Sequence, residues 1–190
     1  EYAHIPLILG PDKKRLSKRH GADSVEDLEE TGYVPSAVIN ALALLGWSFD
    51  DKTTIFSIDE LVEKFTMARV SKSPAVFDVA KLDKLNGRHL RLMDDEQFAE
   101  TLLGYLERRG RLAEYGDGAE ATVRETVPAV KRKLSRLSEY DDLAGWLFRP
   151  LAVDEAAWEI VTKDVKHSIQ VIGGGLGRLE ALEDFTNEAV

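Results

Sequence analysis

The chain has 190 residues, 44% of them hydrophobic, and carries 25 Lys and Arg against 34 Asp and Glu for a net charge of −9; it is long enough to bury a core as one large or two small domains. With no cysteine it has neither a disulfide framework nor thiolate chemistry, which fits a cytoplasmic protein, and no apolar run reaches the roughly 18 residues of a membrane span. The four histidines are scattered without close His/Asp/Glu spacing, which argues against a metal site. The sign of the charge alternates along the chain: net +3 over residues 1–21, −9 over 22–63, +5 over 64–91, −5 over 92–123, +4 over 124–136 and −7 over 137–190. Three basic blocks could line one phosphate-binding face while acidic surfaces elsewhere repel misoriented nucleic acid. Solvated helix faces would give the same alternation.

In chain order, the apolar run Ile5-Pro6-Leu7-Ile8-Leu9 breaks at the turn signal Gly10-Pro11-Asp12. The basic run Lys13-Lys14-Arg15-Leu16-Ser17-Lys18-Arg19-His20-Gly21 follows. A loop of ammonium groups, a hydroxyl and a glycine can cradle phosphate, although charge alone also fits a solvated basic turn. Ser24 to Asp27 open a short helix that ends at Gly32. Pro35 starts another, with Val38, Ile39, Leu42 and Leu45 on its apolar face and Gly46 as its stop. Trp47 and Phe49 read as core. Ser57 and Glu60 form a capping box ahead of Leu61, Val62 and Phe65. Ser71-Lys72-Ser73-Pro74 is expected to be extended. Asp78 then caps a helix carrying Val79, Leu82 and Leu85, with Lys81, Lys84, Arg88 and Arg91 outward and Gly87 as its end.

Beyond residue 93 the pattern is helical. Asp94 to Glu96 begin a helix through Phe98, Leu102, Leu103 and Leu106, with its acids where the macrodipole favours them. Residues 110–120 read as a glycine-rich loop. Residues 122–137 read as a basic helix with Val123, Val127, Val130, Leu134 and Leu137 on its apolar side, where Pro128 marks a kink or a start. Leu143 to Phe148 read as a buried helical turn, and Asp154 as the cap of a helix through Ala157, Trp158 and Val161. Gly173-Gly174-Gly175-Leu176-Gly177 lacks the spacing of a dinucleotide or phosphate loop and reads as a flexible turn. A helix resumes from Leu179 to Phe185.

Arg15-Leu16-Ser17-Lys18-Arg19 resembles the Lys-Met-Ser-Lys-Ser signature loop of class I aminoacyl-tRNA synthetases, and Leu16 to Gly21 resembles its glutamyl form. Gly32-Tyr33-Val34-Pro35 through Leu45-Gly46-Trp47-Ser48 match in order, as do Val70-Ser71-Lys72-Ser73-Pro74-Ala75-Val76-Phe77-Asp78 with Lys81-Leu82 and Leu85-Asn86-Gly87. Together they make the chain similar to bacterial-type glutamyl-tRNA synthetases. The resemblance implies a mainly α fold: the end of a catalytic domain with its signature loop (1–22), a stem-contact fold (23–92) and a helical-cage anticodon-binding domain (93–190), the chain being cut at both ends. The absence of alternating strands after residue 93 fits that cage and not the paired β-barrels of glutaminyl enzymes.

The same resemblance implies activation of glutamate by ATP with Mg²⁺ and transfer to tRNA-Glu by a monomeric enzyme. Lys18 would be the catalytic residue, its ammonium stabilising charge on the triphosphate as pyrophosphate leaves. Arg15, Ser17, Lys18 and Arg19 would bind ATP, with Leu16 as the loop's anchor; arginine replaces the signature lysine at Arg15. The tRNA-binding candidates are Lys72, Ser73, Lys81, Arg88 and Arg91, with Arg132, Lys133 and Arg136 toward the anticodon beside Arg124 and Lys131. Family members often carry tryptophan where Lys84 stands. No His-Ile-Gly-His-like string, nucleotide-binding sheet or amino-acid pocket can be found, so this polypeptide is expected to be inactive alone and to bind no cofactor. The alternatives are a non-enzymatic helical RNA-binding module with a basic phosphate-binding loop, or a purely structural interaction domain.

Overall fold

The computed structural model describes residues 6–16, 24–50, 52–150 and 155–180. The chain divides into two compact units, Glu1–Phe148 and Arg149–Val190. In the first, a short strand β1 (Ile8–Leu9) lies parallel to β2 (Ala75–Val76), with Ile8 opposite Ala75 and Leu9 opposite Val76. No other strand pair occurs among the described residues, so the fold is mainly helical.

Local signals fix most helix starts. In α1 (Val25–Thr31) the Ser24 hydroxyl accepts from the Asp27 N–H while Asp27 returns the bond, and Gly32 ends the helix at φ 92°. A side chain there would strain a left-handed backbone that glycine adopts freely. Pro35 sits at the first turn of α2 (Pro35–Ala43), where its missing N–H costs no helical bond. Ser57 and Glu60 form the expected capping box on α3 (Ile58–Lys64). Asp78 caps α4 (Val79–Leu92) and Asp94 caps α5 (Asp95–Arg108).

The main core packs Val34, Ala37 and Leu90 against Phe98, Leu102 and Leu106 of α5, with Val123, Val127, Leu134 and Tyr140 closing it. A second cluster joins Tyr33, Val38, Phe77 and Leu82, with Ile8, Leu16 and Leu28 against it. Trp47, Phe56 and Leu61 form a third. Trp47 is core as expected, but Phe49 lies at the surface (37% exposed), its ring under the Lys64 and Arg69 cations.

Several expectations are corrected. Gly87 does not stop α4, which runs on to Leu92; the glycine serves a close approach, because a Cβ there would lie 3.3 Å from the Leu134 carbonyl. Residues 110–120 contain a short helix α6 (Arg111–Tyr115) between Gly110 and Gly116, both at positive φ. The basic helix over 122–137 is instead α7 (Ala119–Val130), with Pro128 in its last turn. Leu134 and Leu137 are buried at helical spacing, which is what mimics a longer helix. The backbone after Val130 finds partners elsewhere: Leu137 N–H donates to Gly32 O, 3.0 Å, and Ser135 O accepts from Asn86 Nδ2, 2.6 Å.

Along the expected apolar faces, Ile39 and Leu42 of α2 and Val62 of α3 are exposed. Residues 140–148 form α8 (Tyr140–Ala144) and a 3-10 turn (Gly145–Phe148) in which Ala144 and Gly145 are buried but Trp146 and Leu147 are not.

In the second unit, α9 (Glu155–Lys163) precedes α10 (Val165–Glu180). The proposed cap Asp154 lies outside the described residues, as does the stretch after Glu180. Gly173–Gly177 is not a turn but lies within α10. Val165, Ile169, Ile172 and Leu176 repeat at helical spacing across it, and the helix runs through the glycines despite a cost of about 1 kcal/mol per glycine relative to alanine.

Candidate nucleic-acid interface

The apolar lead-in and turn of the N-terminal stretch fold as a tight reversal. Gly10 N–H donates to Lys14 O (2.8 Å), Lys13 N–H to Gly10 O (2.9 Å) and Leu16 N–H to Ile8 O (3.0 Å). Asp12 Oδ1 accepts from Lys14 N–H, 3.0 Å, and Lys13 takes φ 60°. Lys13, Lys14 and Arg15 are all exposed. The reversal is held from behind: Phe77 N–H donates to Leu9 O at 2.8 Å, and Leu16 packs against the Tyr33, Phe77 and Leu82 cluster. Ser17, Lys18 and Arg19 lie outside the described residues.

Two residues past β2 begins α4, and here the charge pattern has a geometric form. Lys81, Lys84, Arg88 and Arg91 recur at steps of three and four, so they share one face. All four are exposed, and none has an ion-pair partner among the described residues. At 1.5 Å per residue the stripe is about 15 Å long. Lys72 and Ser73 are exposed in the bend before it, where Ser73 N–H donates to Ser71 Oγ. At the far end of the stripe, Arg91 and Arg132 line one cleft with Asp95, Pro128 and Lys131. Arg132 and Lys133 are exposed and carry no ion pair among the described residues.

Three other cations of the expected anticodon-facing group are already engaged. Arg124 holds Glu96 (2.8 Å), Glu100 and Glu120 (3.4 Å), tying α5 to α7; the Glu100 bond, chiefly, raises its pKa. Lys131 donates to the Met93 carbonyl and to Asp95 Oδ1, the latter at 2.8 Å. Arg136 lies 3.6 Å from Asp83 and 3.2 Å from Glu139. Burial works against its charge, but Glu139 and Asp83 outweigh it and hold the guanidinium above its usual range. Asp83 also accepts from Tyr33 Oη at 2.5 Å; burial first, then this carboxylate, pushes the phenol upward.

Sequence reasoning missed the polar groups under these surfaces. Asn86 is fully buried. Its Oδ1 accepts from Val34 N–H (2.9 Å), and its Nδ2 donates to Ser135 O (2.6 Å) and, more weakly, to Gly32 O (3.4 Å). Asn40, also fully buried, accepts from Phe56 N–H and meets His89 Nε2, each at 3.0 Å. Burial lowers the His89 pKa. A signal existed: Asn86 and His89 lie on the same α4 face as Leu82, Leu85 and Leu90, so each had to be buried and hydrogen-bonded. Among the described residues no cluster of His, Asp and Glu could hold a metal ion, and no helix is long and apolar enough to cross a membrane.

Comparison with known proteins gives these features a context. Residues 1–84 match the family of class I tRNA synthetases (E and Q), catalytic domain. The chain is 37% identical over 188 residues to a glutamate–tRNA ligase of Dehalococcoides mccartyi, covering 97% of this chain and 38% of that protein. It is 42% identical over 161 residues to glutamate–tRNA ligase 1 of Pseudothermotoga lettingae, covering 84% and 33%. A crystal structure of a glutamate tRNA ligase from Elizabethkingia meningosepticum, in complex with its amino acid, superposes with a TM-score of 0.74 at 25% identity, over 96% of this chain and 39% of that one. The chain therefore spans about two-fifths of the length of the relatives it matches.

Proposed function

We propose that this chain is the tRNA-binding part of a glutamate–tRNA ligase, the enzyme that activates glutamate with ATP and attaches it to tRNA-Glu. The observation that carries the reading is the α4 stripe. Lys81, Lys84, Arg88 and Arg91 stand exposed and, among the described residues, without ion-pair partners, while nearby Arg124, Lys131 and Arg136 are paired with acids. Cations left without partners along one helix face suit a phosphate backbone, which they position rather than read. On this reading residues 23–92 contact the tRNA stem. Residues from 93 onward belong to the helical anticodon-binding part, where Arg132 and Lys133 are exposed cations available to RNA.

In the whole enzyme, the basic reversal would present Arg15, with Ser17, Lys18 and Arg19 following, to the triphosphate of ATP. Arg15 offers a fixed fork of donors to phosphate oxygens. Lys18 would act on the charge that develops as pyrophosphate departs, as a preorganised cation and not as an acid or base. The hydrogen bond from Phe77 to Leu9 and the packing of the half-buried Leu16 support a role for the packing beneath the loop in fixing where it emerges.

Binding of the chain to a tRNA-Glu transcript and to an anticodon-swapped transcript, each over a salt series, tests the proposal. Four phosphate contacts on α4 would give a log–log salt slope of about −3 to −4, and removing one cation would reduce its magnitude by about 1. Tighter binding to tRNA-Glu, lost on the swap, supports the anticodon assignment. Equal, salt-sensitive binding of both leaves a general RNA-binding surface. A chain that binds neither transcript overturns the reading.

A further inference from the structure

Three chain segments converge behind the cationic surface, and one carboxamide joins them. Asn86 bonds the backbone of Val34, Gly32 and Ser135 at once. The next residue, Gly87, admits the Leu134 carbonyl so closely that a Cβ would lie 3.3 Å from it, and 3.1 Å from the Arg91 guanidinium. On the solvent side of this seam stand Arg88 and Arg91 of α4 and, two and three residues before Ser135, Lys133 and Arg132. We infer that Asn86 is a positioning residue for RNA binding: its carboxamide fixes the 131–136 turn against α4, so that Arg132 and Lys133 continue the α4 stripe at a set spacing. The inference rests on the proposed tRNA-binding function.

The chemistry at the seam supports one side chain only. Asn86 acts as acceptor at one end and donor at the other. An aspartate would keep the bond from Val34 but set a carboxylate oxygen against two carbonyls, and an alanine would take the side-chain partner from Val34 N–H and from Ser135 O. Leu137 N–H donates to Gly32 O and Arg136 reaches Asp83 of α4 at the C-terminal end of the turn, so losing Asn86 loosens the part before Ser135 that carries Arg132 and Lys133. Cations on a loosened turn still attract phosphate, but they no longer meet it at the spacing that the α4 cations dictate.

The test is a double-mutant cycle on the 190-residue chain, with affinity for tRNA-Glu transcript and its salt slope as readouts. In the wild-type background, Arg132→Ala with Lys133→Ala is expected to reduce the slope's magnitude by about 2 and weaken binding roughly tenfold. After Asn86→Ala, measured at a temperature where circular dichroism shows the chain folded, the same pair of substitutions is expected to change affinity less than twofold. Gly87→Ala probes the seam without removing a hydrogen bond and improves helix propensity. Made in an Arg91→Ala background, which removes the other group within 3.4 Å of the added Cβ, it is expected to weaken binding further with the chain still folded, and it decides the matter if Asn86→Ala does not fold. Additive effects in the cycle, or unaltered binding by Gly87→Ala, overturn the inference even where tRNA binding itself is confirmed. A wild-type chain that does not bind tRNA, or that binds equally well after Arg88→Ala with Arg91→Ala, refutes the underlying function instead.

Discussion

Replacing Gly32 by alanine separates backbone strain from close approach. Gly32 and Gly46 have nearly the same φ, 92° and 91°, so alanine at either costs about 1–2 kcal/mol for entering the left-handed region. Around Gly46 nothing lies within 4 Å of an added Cβ, whereas at Gly32 that atom would sit 2.7 Å from the backbone nitrogens of both Leu137 and Ser138. The clash is with main chain, so no rotamer can relieve it. The 137–138 segment must retreat, stretching the 3.0 Å bond from Leu137 N–H to Gly32 O. The lost bond contributes about 0.5–1.5 kcal/mol, and displacing the buried Leu137 adds about 1–3 kcal/mol of the kind seen on overpacking. Gly32→Ala is thus expected to destabilise by roughly 2 kcal/mol or more beyond Gly46→Ala, equivalent to about 4–8 °C in melting temperature for a chain this long. Urea denaturation of the two variants, followed by circular dichroism, measures the difference. If they agree within about 0.5 kcal/mol, the close approach at Gly32 does not hold the molecule together.

Burial keeps the His89 pKa below its ordinary value, so the unfolded chain takes up the proton first as pH falls. Its contribution to stability is therefore complete above the ordinary histidine range, near pH 6.5, and is lost as the medium becomes more acidic. Urea midpoints at about pH 7.5 and 5.5 should fall for the wild type and fall less for His89→Leu; an equal fall in both would remove His89 as the cause. In α10 an added Cβ at Gly174 meets nothing within 4 Å, so Gly174→Ala should stabilise that helix by up to about 1 kcal/mol. Far-ultraviolet circular dichroism then shows unchanged or greater helicity, whereas a loss would mean that the segment is not helical there.

The helix starts were legible because their signals are local: Ser24, Ser57, Asp78 and Asp94 each bond to the backbone three residues on, and Pro35 needs no partner. The stops were less legible. Gly32 ends a helix and Gly87 does not, because the second answers to a carbonyl contributed by Leu134, which no local window contains. The same holds for the end of α7, where the apolar spacing of Leu134 and Leu137 continues a helix that the distant partners Gly32 and Asn86 interrupt. In the candidate site, the α4 face followed from periodicity alone. The division of the remaining cations into free and paired did not, since Glu96, Glu100 and Asp83 reach their arginines only through the packing of α4, α5 and α7.

The small parallel pair between β1 and β2 has a kinetic consequence. Ile8 finds Ala75 only after the intervening chain has been made and brought round, and closing a loop of that length costs about 3.7 kcal/mol in chain entropy. Two residues of ladder cannot hold such a loop closed unaided. Partial burial of Ile8 and Leu16 must supply the rest, and the surface they pack against is built by Tyr33, Phe77 and Leu82. The Ile8–Leu16 reversal is therefore expected to settle last, docking onto a helical body that has already folded.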